Sequence, residues 1–240
     1  MFRISWKGTW RGRSPDGIAH QPARDVVRRA GGIVRGKFPS RKNGRMVRHE
    51  GLLELDALYL FEASPLVVSY KEQPEKIRYP DGRRLRRYTP DFELSLSNGS
   101  SVIVEVKPKQ NADRPDIRRK LNAIADFYLR QGREFVVLTD VHIRLEPRLE
   151  NLRLVYHRAP RVRPTALKAT LALARLGDVF PMTLSSATHL LSSINLDPYS
   201  LLMAGLLVCD LTAPFTHCCL LDSNLESNHE WFRLSDRLGF

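Results

Sequence analysis

The sequence has few cysteines and none of the segments that would direct it to or through a membrane. Only Cys209, Cys218 and Cys219 occur among the 240 residues, and their spacing matches no paired metal-binding motif. An odd number argues against a disulfide framework, so we expect small buried thiols. No apolar run reaches the roughly eighteen residues of a membrane span, and the N-terminus lacks the apolar core of a secretory signal. We therefore expect a cytoplasmic protein.

Several motifs of common enzyme classes are also absent. There is no GxxxxGK loop to hold a nucleotide phosphate and no GxSxG turn to present a serine nucleophile. The seven histidines show no HxxxH pairing, which disfavours a zinc site. These absences remove the nucleoside-triphosphatase, serine-hydrolase and zinc-enzyme classes from first consideration.

Positive charge, in contrast, is abundant and unevenly distributed. The net charge is +12 and the pI is about 10.0, which indicates a polyanionic partner such as DNA. The first fifty residues carry 13 Lys and Arg against 3 Asp and Glu, whereas residues 51–150 carry 17 against 16. We therefore predict a basic N-terminal arm over residues 1–35 that contacts phosphates, with a solvated tail as the alternative.

The pattern of apolar residues predicts an α/β core over residues 36–158. A helix is expected from Glu50 to Glu62, before Pro65, and a second from Pro115 to Gly132. Short runs rich in β-type residues lie between and after these helices and predict a mixed sheet. The predicted strands are Val67–Tyr70, Ile77–Tyr79, Tyr88–Leu96, Ser101–Lys107, Phe135–Leu138 and, as a further candidate, Leu152–Tyr156.

A second module is predicted over residues 159–240, after a linker rich in arginine and proline. Helical patterns cover residues 165–176, 183–192 and 198–207. Two short apolar runs, Val208–Leu211 and Cys218–Leu221, follow them. Three helices followed by a hairpin are typical of a winged helix, so we expect a winged-helix-like α+β module that binds a partner or DNA.

The strongest chemical signal is the segment YTPDFELSLSNGSSVIVEVKP, which predicts a β-hairpin turning at Asn98-Gly99. Its apolar residues alternate along both strands, so one register brings the two apolar faces together. That register pairs Phe92 with Val106 and Leu94 with Val104, and it leaves a three-residue loop at 98–100.

The same register predicts a cluster of charged residues on the other face of the hairpin. Asp91, Glu105 and Lys107 share that face, with Asp91 opposite Lys107 and diagonal to Glu105, about 7–8 Å away at Cα. Two carboxylates from adjacent strands supply the hard oxygen ligands that Mg²⁺ prefers. Such an ion activates water and offsets charge on a phosphate, and Lys107 would orient the water or stabilise the phosphate.

Glu54 completes the candidate metal site. It lies on the first helix beside Gly51, Ala57 and Leu58, where an unpaired carboxylate would cost free energy unless it bound a metal or a partner. We therefore predict that Glu54, Asp91 and Glu105 hold the cation and that these three residues with Lys107 form the catalytic site. Glu50, one turn before Glu54, is a further candidate for the same role, although a solvent-facing glutamate is more typical of this position.

Asp91 followed by Glu105-x-Lys107 resembles the PD-(D/E)xK motif of nucleases with a restriction-endonuclease-like fold. The longer segment from Gly36 to Tyr156 resembles the endonuclease domain of TnsA, a subunit of heteromeric transposases, and the part beyond Pro160 resembles its C-terminal domain more weakly. The resemblance implies catalytic roles for Glu54, Asp91, Glu105 and Lys107. It leaves the role of Glu50 open and matches Gln73-Pro74 without assigning it a role.

The resemblance also implies a reaction and partners. TnsA-like proteins cut the 5′ strands at transposon ends with Mg²⁺, for which Mn²⁺ can substitute, while a TnsB-like recombinase cuts and joins the 3′ strands. A TnsC-like AAA+ ATPase regulates both. Double-stranded DNA at transposon ends is thus the expected substrate, and the length also fits subunits of CRISPR-associated transposons. Two alternatives remain at this stage: a stand-alone restriction or repair nuclease, and a non-catalytic subunit that binds DNA or a partner.

Overall fold

The computed structural model of the protein describes Ala23 and residues 34–160, 164–176, 179–225 and 231–235. The predicted basic arm over residues 1–35 therefore lies outside the described residues, apart from Ala23, Val34 and Arg35. Contacts between backbone segments divide the chain into two compact units, residues 1–58 with 68–140, and residues 59–67 with 141–240. The domain boundaries expected near residues 36 and 159 remain predictions.

The N-terminal unit contains a mixed sheet, two hairpins and helices. A four-stranded sheet has the order β3-β6-β7-β8, with β6 antiparallel and β8 parallel to β7, and β1-β2 and β4-β5 form separate ribbons. The elements are β1 (Gly36–Ser40), β2 (Arg45–His49), α1 (Leu52–Ala63), β3 (Val67–Glu72), β4 (Ile77–Asp81), β5 (Arg84–Tyr88), β6 (Phe92–Leu96), β7 (Ser101–Val106), α2 (Lys109–Ala112), α3 (Pro115–Leu129) and β8 (Glu134–Leu138). The predicted α/β class with a mixed sheet is confirmed, and it is compatible with a restriction-endonuclease-like core.

One apolar cluster fixes α3 against the sheet and the β4-β5 ribbon. Leu121, Ile124 and Tyr128 lie at helical spacing on one face of α3 and are buried. The other buried members of the cluster are Ile77, Tyr79, Tyr88, Ile103 and Phe135. Because these residues come from β4, β5, β7 and β8, both the ribbon and the helix have a fixed position relative to the central strands.

The register predicted for the β6-β7 hairpin is wrong by two residues. The structure pairs Phe92 with Val104 and Leu94 with Val102, rather than with Val106 and Val104. The reason lies in the loop: the backbone N–H of Leu96 donates to the oxygen of Ser100, and Gly99 takes a left-handed φ of 84°. Glycine adopts that conformation readily, so Gly99 ends a three-residue loop one position earlier than expected. A shift of two residues keeps every side chain on its predicted face.

The β1-β2 hairpin was missed by the pattern and is fastened to β3 by a buried ion pair. The guanidinium of Arg45 donates to both carboxylate oxygens of Glu72, at 2.8 and 2.5 Å, and both side chains are about 5% exposed or less. The backbone N–H of Arg48 also donates to Glu72 at 3.3 Å. The charge of Arg45 is thus matched inside the fold by two parallel hydrogen bonds.

The C-terminal unit contains a small antiparallel sheet with the order β10-β11-β9. Its elements are α4 (Asp140–Ile143), α5 (Arg148–Arg158), α6 (Ala166–Leu176), β9 (Met182–Thr183), α7 (Leu184–Ser192), α8 (Pro198–Met203), β10 (Leu207–Cys209) and β11 (Leu220–Ser223). Side chains cap two of these helices, since Thr183 accepts from the N–H of Ser186 and Asp197 accepts from the N–H of Ser200. The helices predicted over residues 165–176 and 183–192 agree with α6 and α7 to within one residue. The helix predicted over residues 198–207 extends beyond the end of α8.

The candidate strand Leu152–Tyr156 is wrong, because these residues belong to helix α5. Buried Leu149, Leu152, Val155 and Tyr156 recur at helical spacing along α5. Asn151 on the same helix holds the turn between β10 and β11. Its amide donates to the oxygens of Leu211 and Ala213, at 3.1 and 2.8 Å, and its carbonyl accepts from the N–H of Phe215.

None of the helices in the described residues is long and apolar enough to span a membrane.

Candidate active site

Asp91 and Glu105 lie at the same level of two neighbouring strands. Continuing the observed register by one residue beyond Phe92 and Val104 places Asp91 beside Glu105, whereas the sequence analysis had placed it opposite Lys107. The backbone N–H of Val106 donates to Asp91 Oδ2 at 2.8 Å and holds the carboxylate against β7. The register correction therefore brings the two acids closer together than the diagonal arrangement predicted from the sequence.

Lys107 and Glu105 form a direct ion pair on that face. Lys107 Nζ lies 2.9 Å from Glu105 Oε1, and the side chains are 24% and 6% exposed. The backbone N–H of Lys107 donates to the oxygen of Leu138 in the parallel strand β8. This hydrogen bond holds the backbone of the lysine in place. The ammonium group is thus held within reach of both solvent and the buried acid.

Glu54 reaches the same cluster from the first turn of α1. Its Oε2 accepts a 2.7 Å hydrogen bond from the backbone N–H of Glu50. Electrostatic repulsion couples Glu54 to Glu105 and Asp91, and attraction couples it to Lys107. The structure therefore brings together all four residues that the sequence singled out, while their catalytic roles remain predictions.

Gln73 connects Glu50 to the backbone of Asp91, immediately before β6. Its backbone N–H donates to the oxygen of Asp91 at 2.8 Å, and its side-chain amide donates to Glu50 Oε1. Gln73 adopts a left-handed φ of 46°, a conformation uncommon for residues other than glycine. Glu50 is thus bonded within the site region and is not the solvent-facing residue that its helical position suggested.

Tyr88 was not recognised as part of the site. It ends β5 and is 6% exposed, and its hydroxyl donates to Glu105 Oε2. The two oxygens of Glu105 are therefore bonded to Lys107 and Tyr88, respectively. The sequence signal for Tyr88 was its position three residues before Asp91. It stands at the end of the segment that begins with the buried residues Ile77 and Tyr79.

Burial and mutual repulsion alter the protonation of the cluster. Burial, followed by repulsion from Glu105 and Glu54, raises the pKa of Asp91 well above its usual range. Burial, opposed by the N–H of Glu50 and reinforced by the charges of Glu50 and Glu105, raises the pKa of Glu54 to about 7. Burial alone would lower the pKa of Lys107, but Glu105, Asp91 and Glu54 together raise it. The repulsion among the three acids thus favours protonation of Asp91 and Glu54.

The chemistry of these donors fits a divalent cation with a preference for oxygen. Three carboxylates whose charges repel one another would be relieved by a cation of the Mg²⁺ type. Within the described residues, however, no three acidic, histidine or cysteine side chains are grouped as closely as the ligands of an assembled metal centre. The donor types support a cation, and the side-chain positions are not those of an assembled centre.

Comparison with known protein families gives one match. Residues 64–140 match the family described as TnsA-like endonuclease N terminal. The matched segment contains Asp91, Glu105, Lys107, Gln73 and Tyr88, and it begins after Glu54. No match was found among the curated proteins. Over these residues, the family match confirms the resemblance to a TnsA-like endonuclease domain.

Proposed function

Because residues 64–140 match the TnsA-like endonuclease N-terminal family, we propose that the chain is the endonuclease subunit of a cut-and-paste transposase. Its proposed reaction is hydrolysis of one phosphodiester bond in the 5′ strand at each transposon end. The observation that carries the proposal is the Lys107–Glu105 ion pair beside Asp91, inside the matched segment. That arrangement supports assignment to the PD-(D/E)xK nucleases.

Asp91, Glu105 and Glu54 are the residues proposed to hold Mg²⁺, with Mn²⁺ as a substitute. The bound ion would activate a water molecule and offset negative charge on the phosphate. Lys107 donates hydrogen bonds to the phosphate or to the attacking water, since its ammonium group already lies at the border between the acids and solvent. Tyr88 and the N–H of Val106 fix the orientations of Glu105 and Asp91, respectively.

The partners proposed for this subunit follow from the family. A TnsB-like recombinase would cut and join the 3′ strands, and a TnsC-like AAA+ ATPase would regulate both subunits. The C-terminal unit is proposed to be a winged-helix module that contacts the ATPase or DNA. Its element order α6-β9-α7-α8-β10-β11 and its sheet order β10-β11-β9 support this assignment. With a DNA substrate, we expect the protein to act in the cytoplasm on nucleoid DNA.

The products of transposition provide the test. With the partner recombinase and ATPase present, Asp91→Ala should leave 3′ cutting and joining intact while the 5′ strands stay attached to donor DNA. Replication would then convert the branched product into a cointegrate, which long-read sequencing distinguishes from a simple insertion. Glu93→Gln serves as the control, because Glu93 lies on the same strand but pairs with Arg133. An equal share of simple insertions from the wild-type and Asp91→Ala systems would contradict the proposed role.

The two alternatives predict different results with purified protein. A stand-alone nuclease would cut duplex DNA in Mg²⁺ without any partner at the rate seen with partners. A non-catalytic subunit would leave the DNA uncut even when the recombinase and ATPase are present. The ion-paired Lys107 and Glu105 favour an active enzyme over a decayed one.

A further inference from the structure

The β4-β5 ribbon, residues 77–88, concentrates positive charge that the fold itself does not neutralise. It carries five arginines and a single acid, Asp81, which pairs with Arg86. The four other arginines are exposed and take part in none of the salt bridges among the described residues. They are Arg78, Arg83, Arg84 and Arg87.

The pairing of the two strands makes this arrangement unfavourable for the free protein. Arg78 lies directly opposite Arg87 in the antiparallel register. Like charges at directly opposed positions destabilise a hairpin. Folding therefore does not explain the arginines at these positions, whereas a negatively charged ligand would turn the repulsion into binding.

The base of the ribbon is firmly held while its outer face is open. Ile77, Tyr79 and Tyr88 point to the buried side and belong to the cluster that packs on α3. Arg78 and Arg87 alternate with them and point to the opposite side. The backbone that carries the arginines is thus fixed before binding, so less conformational entropy is lost when they bind a ligand.

The ribbon also ends at the candidate active site. Tyr88, its last residue, donates a hydrogen bond to Glu105. Arg84 lies four residue steps from Tyr88, a distance of about 14 Å along an antiparallel strand. Duplex DNA carries one negative charge per roughly 1.7 Å of its axis, so a ribbon of this length spans several phosphates.

We propose that the β4-β5 ribbon docks on duplex DNA beside the scissile phosphate and holds it against the Asp91, Glu105 and Lys107 site. This inference rests on the proposed function, because it takes the substrate to be DNA. A two-stranded ribbon has the width that the major groove admits, and guanidinium groups bind phosphate in a bidentate manner. Leu85 is the only large apolar side chain exposed on the ribbon, so the surface fits a polyanion better than a lipid bilayer.

Salt dependence of binding tests the inference directly. The full-length chain would be titrated against a fluorescent synthetic duplex without divalent metal, over a series of salt concentrations. Arg78→Gln/Arg87→Gln should make the slope of log K against log salt shallower by about 1 to 2, because each phosphate contact contributes roughly 0.9. Arg78→Lys/Arg87→Lys should keep most of the slope, since the charges remain. Thermal melting confirms that each variant is folded.

A matched pair of arginines outside the ribbon controls for net charge. Arg118→Gln/Arg130→Gln removes two exposed charges, one on α3 and one at its C-cap, and should keep the wild-type slope. An unchanged slope in the ribbon variant, or an equal loss in the α3 variant, overturns the inference. Loss confined to a single-stranded DNA or RNA probe also overturns it, because the ribbon would then serve another nucleic acid.

Failure of the proposed function would look different. Suppose that the wild-type protein binds duplex DNA with a ribbon-dependent slope but cuts no DNA with its partners in Mg²⁺. That result would support the docking surface and contradict the nuclease assignment. Conversely, DNA cleavage together with the same binding slope in the wild type and the ribbon variants would support the nuclease assignment and contradict the docking surface.

Discussion

The candidate site and the β4-β5 ribbon meet at Tyr88, yet they differ in how their charged side chains are paired. In the site, each charged group has a partner within the fold, as Asp91 has the N–H of Val106 and Glu105 has Lys107 and Tyr88. In the ribbon, Arg78 faces Arg87 across the strands and both are exposed. Buried charge requires a specific partner because water no longer solvates it, while exposed charge is tolerated and acts at a distance. The same unit thus combines groups placed for short-range chemistry with groups that supply a long-range field.

The largest expected effect is on the chemistry of the site. Asp91→Asn preserves size and the hydrogen bond from Val106 but removes the negative charge, so cleavage should fall by at least about 100-fold. Single-turnover cleavage of a duplex in the reconstituted system measures it, and DNA binding should be nearly unchanged. A loss of similar size in Glu93→Gln would show that the effect is structural.

A large effect on stability is expected at the buried pair of Arg45 and Glu72. Removing one member by Arg45→Met leaves Glu72 buried without its partner, which costs about 3–5 kcal/mol in the free energy of unfolding. Urea denaturation measures the change. Arg45→Met/Glu72→Met should recover much of the loss, because no uncompensated charge remains; a double variant as unstable as the single one would contradict this explanation.

The ribbon should respond in the opposite direction. Arg78→Gln removes one of two opposed positive charges and should stabilise the protein by about 0.2–1 kcal/mol at low salt. The gain should shrink as salt is added, since the charges are exposed. Arg118→Gln on α3 is the control and should change the free energy of unfolding less. Destabilisation by Arg78→Gln would mean that the arginine has an unrecognised structural contact.

The smallest effect concerns His49 and pH. Burial lowers the pKa of His49, despite opposing contributions from the oxygen of Gly51 and the charge of Asp56. The unfolded chain therefore binds the proton more readily, and this residue makes the protein less stable as pH falls below about 6.5. The difference in unfolding free energy between wild type and His49→Gln should vary over that pH range. A difference independent of pH would contradict the assignment.

The sequence predicted which residues share a face of the hairpin better than it predicted how the two strands pair. Alternation assigned Asp91, Glu105 and Lys107 to one face, and that result survived the two-residue error because the side-chain period is also two. The register itself depends on the left-handed Gly99, which the apolar pattern does not encode.

Other features were missed because averages or short patterns concealed them. Residues 51–150 are almost neutral in total, so the arginines of β5 did not stand out from the acids around them. The β1-β2 hairpin is stabilised by the Arg45–Glu72 contact across 27 residues, which no local pattern reveals. The short apolar run Leu152–Tyr156 fits a strand and a helix equally well by sequence. In the structure its buried residues follow the helical spacing of α5.

Asn151 has a consequence for how the surface of the C-terminal unit can change. Its three hydrogen bonds all go to backbone atoms of the turn at 211–215, and Leu211 and Phe215 anchor the two ends by burial. The Thr212 hydroxyl adds a hydrogen bond to Asp210, whereas the path of the turn does not depend on the exposed side chain of Ala213. A substitution at position 213 would therefore change the chemistry offered to a neighbour while the turn keeps its shape.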